Sequence, residues 1–214
     1  MSLLDWKQKG WLQLAVIYTR YLIGGAFVFA SLIKIKGLRF TRLSGELAPI
    51  HSMEHFFETL YQSGVYWQFL GLAQLMAGML LMTQRYALVG ALLFLPIVAN
   101  VYVITISYEF GYTSFVTGAM LLATVGLLVW GWNILRVLVH QPVRSLPASA
   151  FYQQKLWEGV GTVLFLYTAI YRALVEQYNI IQWFGICVLV GLLALLTSWV
   201  LHRRANKRPG PLPS

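Results

Sequence analysis

The chain has 214 residues, of which 58% are hydrophobic and 11% charged, with a formal net charge of +9. That balance excludes a soluble globular domain and describes an all-α polytopic membrane protein. The positive charge does not argue for nucleic acid, because most of the basic residues flank apolar runs, where positive-inside bias places them.

Six apolar runs are each about long enough to cross hydrocarbon as a helix: 12–33, 66–83, 86–107, 113–135, 159–176 and 181–202. An even number of crossings puts both termini on one side. Lys7, Lys9, Arg85, Arg136, Arg144, Lys155, Arg203, Arg204, Lys207 and Arg208 then share that side, with Lys34, Lys36, Arg39 and Arg42 opposite. The excess predicts cytoplasmic N- and C-termini. The first run follows two lysines, but it is too long for a signal-peptide core and lacks a cleavage site, so it reads as a retained helix.

The first helix carries Gln13, Arg20, Gly24 and Ser31 close to one face. Arg20 lies about 12 Å into the span at ~1.5 Å per residue. There an arginine cannot face lipid without a penalty of roughly 3 kcal/mol or more. It either ties helices together or orients the polar head of a ligand. Lys34, Lys36, Arg39 and Arg42 form a basic cluster at the far end, suited to lipid phosphates or to the entry of an anionic ligand.

After Pro49, the residues Ile50, Met53, Phe56, Phe57, Leu60 and Tyr61 repeat at helical spacing. They predict an amphipathic helix near 50–63 that lies on the membrane or caps the bundle. It contains His51-Ser52-Met53-Glu54-His55, an H-x-x-E-H string. A zinc site would need His51 and His55 on the metal, Glu54 as base, and a third ligand such as Glu58. Five-residue matches arise by chance, and a solvated histidine face is the ordinary explanation, so no metal centre is expected.

The next two spans are joined only by Thr83, Gln84 and Arg85, which makes them antiparallel neighbours. Gly71, Gln74 and Gly78 share one face, where small residues allow a close helix and Gln74 can hydrogen-bond across it. Pro96 and Asn100 share a face of the following helix. Pro96 frees a backbone carbonyl, so that face is expected to point inward. Arg20, Gln74, Asn100 and Lys34 are therefore the candidate ligand-binding residues. The fourth span offers Thr117, Thr124 and Gly131 on one stripe, and together the four spans predict a bundle with a partly polar centre.

This pattern resembles the DoxX-like family of small bacterial integral membrane proteins. The residues that carry the resemblance are the Gly71–Ile106 hairpin with its short arginine turn, its proline and its asparagine, the stretch from Gly111 to Trp132, and Arg20, Gly24–Gly25 and Lys34 in the first helix. It covers roughly 12–138. Family members often have a carboxylate where this chain has Gln74, so the resemblance brings no proton-handling role to that position. It implies a DoxX-like antiparallel four-helix transmembrane bundle over 1–138, a bacterial cytoplasmic membrane, and partnership with a quinone-linked redox system. Beyond it lie a linker at 139–157 broken by Pro142 and Pro147, two additional C-terminal transmembrane helices over 158–202, and a basic, proline-rich tail at 203–214. In the fifth span Gly161, Phe165, Thr168, Arg172 and Glu176 follow one face, and Arg172 can pair with Glu176.

No residues face each other within the spans as haem ligands, and there is no P-loop, dinucleotide fingerprint or CxxC. The chain has one cysteine, Cys187, and so no disulfide of its own. No intrinsic cofactor or catalytic residue is expected. The reading that follows is a non-catalytic membrane subunit or binding protein. It would hold a quinone-like or lipid-like molecule, with membrane lipid, a redox protein or a second copy as partner. The alternatives are a small carrier for an anion or metabolite, which shows no inverted repeat, and a structural scaffold.

Overall fold

The computed structural model describes residues 7–40, 44–142, 155–175 and 177–206. Arg42, Glu176, most of the 139–157 linker and the tail beyond 206 lie outside them. Among the described residues the chain is helical, with no strand. The helices are α1 (Gly10–Ile35), α2 (Met53–Gln62), α3 (Val65–Met82), α4 (Ala87–Ser107), α5 (Tyr112–Trp130), the short α6 (Trp132–Leu135), α7 (Lys155–Leu174) and α8 (Ile180–Asn206). A 3-10 turn, Arg136–Val139, follows α6.

Five of these helices are long and apolar enough to cross a membrane: α1, α3, α4, α5 and α8 over Ile180–Arg203. The chain is a multi-pass membrane protein. The fifth run of the sequence, α7, has the length, but Lys155, Glu158 and Arg172 lower its hydropathy.

Contacts between helices fix their directions. Gly24 of α1 meets Gly78 of α3, and Ser31 meets Gly71, so α1 and α3 are antiparallel. A Cβ on Gly78 would lie 2.8 Å from the Gly24 carbonyl oxygen, so glycine is required for this approach. Leu88 of α4 packs on Gly131, just beyond α5, and Thr105 Oγ1 lies 2.8 Å from Thr117 Oγ1 at the other end, which makes α4 and α5 antiparallel. Tyr21 donates its hydroxyl to the Trp157 carbonyl, and fifteen residues on Lys36 reaches the Arg172 and Ala173 carbonyls. Helix α7 therefore runs parallel to α1 along the same depth, about 22 Å at ~1.5 Å per residue. Tyr18 reaches the Gly191 carbonyl at 2.7 Å while Phe29 stacks on Trp183, so α8 is antiparallel to α1.

Two apolar cores share α1. The first joins Ile23 and Phe27 to Ala77, Leu81, Ala91, Phe94, Val98 and Leu127, with α1, α3, α4 and α5 all contributing. The second joins Ile17, Tyr21 and Val28 to Met82, Trp157, Leu164 and Ala194, which brings in α7 and α8. The expected partly polar bundle centre is not present. Phe27 and Phe94 fill it with ring centroids 3.9 Å apart, and the polar side chains sit on the seams between helices.

Helix α2 caps the end of the molecule where α1 finishes, here the upper end. Ser52 caps it by accepting the His55 N–H at 3.2 Å, and Glu54 lies in its first turn. Its apolar side rests on the α4–α5 connection through Phe56–Tyr108 and Phe57–Phe110, with centroids 4.9 and 5.4 Å apart.

Candidate functional site

Arg20, Gln74 and Asn100, expected to form the centre of one site, do not come together. Arg20 is buried, at 4% exposure, and its Nη1 donates to Gln84 Oε1 at 2.9 Å in the turn below α3. Gln74 is also buried, but it lies at least eight residues up α3 from that turn, about 12 Å at ~1.5 Å per residue. Its Oε1 makes no hydrogen bond among the described residues. Asn100 is exposed on the outer face of α4, together with Pro96. The inward orientation expected for these two is reversed. The buried stripe of α4 is Ala87, Gly90, Ala91, Phe94, Val98 and Thr105, and a residue two places from Phe94 or Val98 points away from it.

Lys34 is buried at the top of α1. Its ammonium donates to the Ala30 carbonyl at 2.8 Å and faces the rings of Phe40 and Trp67, with centroids 4.9 and 5.1 Å away. Lys36 and Arg39 of the basic cluster make separate contacts. Lys36 caps α7. Arg39 forks onto Glu58 with Nη2–Oε1 at 2.8 Å and Nε–Oε2 at 2.9 Å. Glu58 also accepts the Gly45 N–H at 3.1 Å. The Arg39 guanidinium beside it, first, holds the Glu58 carboxyl below the usual glutamate range. This pair fastens the connector after α1 to α2. It also removes the residue offered as third ligand to His51 and His55, and no group of three metal-ligating side chains assembles among the described residues.

A groove lies elsewhere, between α1, α7 and α8. It has a volume of about 590 Å3, and its walls include Tyr18, Gly25, Thr168, Trp183, Val188 and Leu192. Its walls also include the exposed Leu22 and Leu192, so it reaches the outer surface of the helices. The polar atoms in its walls are already used: Tyr18 and Tyr21 donate to backbone carbonyls, and Trp183 Nε1 donates to Thr168 Oγ1 at 3.1 Å. What faces the groove is therefore apolar surface, suited to a hydrocarbon chain or ring system. Gly25 is part of this shape. A Cβ there would be 3.9 Å from both Met82 and Trp183, so a methyl fits and anything larger enters the groove.

Sequence reasoning missed this site because two of its three helices lie beyond the stretch that carries the family resemblance. The signals available were the stripe Gly161, Thr168, Arg172, which the structure does bury, and the Gly24–Gly25 pair, whose two members serve different seams. No protein-family model, curated protein or solved structure matches the chain.

Proposed function

We propose that this is a DoxX-like protein of a bacterial cytoplasmic membrane that crosses it six times, with both termini cytoplasmic, and holds a lipid-like or quinone-like molecule without catalysing a reaction itself. The observation that carries the binding role is the lateral groove: about 590 Å3, apolar, open to the side, and lined by polar groups that are already satisfied. A membrane-dissolved molecule enters such a site from the side without crossing water. The sixth crossing is supported by α7 running parallel to α1 along the same depth, between two antiparallel neighbours. The bacterial membrane, and service to a redox protein as its membrane subunit, rest on the resemblance of residues 12–138.

The structural-scaffold reading draws support from Arg20, whose contact with Gln84 ties α1 to the turn below α3. An anion carrier draws little, because Arg39 is paired with Glu58 and Lys34 is buried on the Ala30 carbonyl.

The test is organic extraction of the protein purified in mild detergent, followed by mass spectrometry. One apolar or amphipathic molecule per chain is expected from the wild type and a strongly reduced amount from Gly25→Leu, which fills the groove. Equal amounts from both would remove the groove as the binding site. An empty wild type would leave the scaffold reading.

A further inference from the structure

Positive charge lies above the upper end of the groove, behind the Phe29 ring that packs on its wall residue Trp183. Arg172 lies one turn beyond Thr168 on α7, and Phe29 one turn beyond Gly25 on α1. The guanidinium carbon of Arg172 is 4.6 Å from the Phe29 ring centre and 4.1 Å from that of Tyr178. Phe29 in turn lies 4.6 Å from Trp183, part of the groove wall. Arg172 is 7% exposed, and its Nε donates a long hydrogen bond, 3.4 Å, to the Phe29 carbonyl. Among the described residues its terminal nitrogens donate no hydrogen bond and no carboxylate pairs with it.

A second cation stands beside it. The Lys36 ammonium sits on the Arg172 and Ala173 carbonyls at 3.2 and 2.6 Å. Aromatic faces and carbonyl dipoles offset part of this charge, but neither carries a full negative charge. The one ion pair among the described residues, Arg39–Glu58, is separate from it.

We infer that the groove takes an anionic phospholipid, with an acyl chain along Gly25, Val188 and Leu192 and the phosphate facing Arg172 and Lys36. Charge complementarity selects this occupant. A quinone head is neutral and leaves both cations as they are. A zwitterionic lipid brings its own cation to the same place. The inference rests on the groove being the ligand site, as proposed above, and adds the class of head group.

The experiment is native mass spectrometry of the full chain in detergent. The probes are equimolar phosphatidylglycerol and phosphatidylcholine with identical acyl chains, and a long-chain benzoquinone. The wild type is expected to retain one phosphatidylglycerol in preference to phosphatidylcholine. Arg172→Gln and Lys36→Gln are each expected to lower that ratio by about fivefold, the effect of one basic group at a membrane surface. Arg172→Lys is expected to keep the preference. Lys36 is exposed, so its variant folds even if Arg172→Gln does not.

Equal retention of the two lipids by the wild type, stronger retention of the benzoquinone, or a preference that survives both glutamine variants would overturn the anionic-lipid assignment and leave the groove as a ligand site. Retention unaffected by Gly25→Leu, or no retention of any probe, would instead remove the groove reading itself.

Discussion

Arg20 shows what a sequence can and cannot say about a single side chain. Its depth and buried face follow from helical spacing and from the penalty for a cation in lipid. Its partner does not, because a long flexible side chain can reach more than a turn along the helix. Here it reaches down to Gln84 rather than across to Gln74. Arg20→Gln is therefore expected to lower stability in detergent by about 1–3 kcal/mol, the usual effect of losing a charged hydrogen bond. The same variant should leave the extracted ligand unchanged; thermal unfolding and mass spectrometry of one preparation check both parts. Asn100 is the opposite case. The polar-means-inward argument fails there because α4 has a better apolar stripe to bury. Asn100→Leu is expected to shift stability by less than about 0.5 kcal/mol in the isolated chain.

At the scale of elements, the seams were legible. Gly71, Gln74 and Gly78 are buried against α1, Gln13, Arg20, Gly24 and Ser31 are buried on α1, and Thr117 and Thr124 are buried on α5. Small residues at helical spacing mark where backbones approach. Gly161 is the tightest of these contacts, since a Cβ there would fall far inside van der Waals distance of the Met82 carbonyl oxygen. Gly161→Ala is expected to push α7 off the end of α3, destabilise by about 1–3 kcal/mol as other overpacked cores do, and reduce ligand retention.

The connector to α2 depends on pH in a definite direction. The Glu58 carboxyl is held below its ordinary value of 4.5 by Arg39. Its contribution is thus fully present above that ordinary value and is lost as pH falls through the lowered one. Limited proteolysis should find the segment between α1 and α2 protected at neutral pH and opened in acid, and Glu58→Gln should open it at neutral pH.

For the whole molecule, the sequence conveys the helical membrane class and the up-and-down order of its spans, because both follow from run length and turn length. It does not convey that α1 is shared by two cores, because no pattern in one helix says how many neighbours it has. Nor does it convey a cavity whose walls on α1 lie more than 130 positions in sequence from those on α7 and α8. If α7 crosses the membrane with α1, reporters fused after His140 and after Arg203 should lie on the same side, and one after Gln62 on the other. A reporter after Arg203 on the side of Gln62 would mean five crossings.

The most direct test of the groove is photo-crosslinking. Detergent-purified protein would be loaded with one equivalent of phosphatidylglycerol bearing a diazirine in its acyl chain, illuminated, and mapped by peptide mass spectrometry. The account predicts adducts on the peptides carrying Leu22 and Ala26 of α1 and Val188 and Leu192 of α8. Adducts spread evenly over other exposed apolar helix faces, such as Leu122 and Val125 of α5, or gathered near Gln74 at the α1–α3 seam, would contradict it.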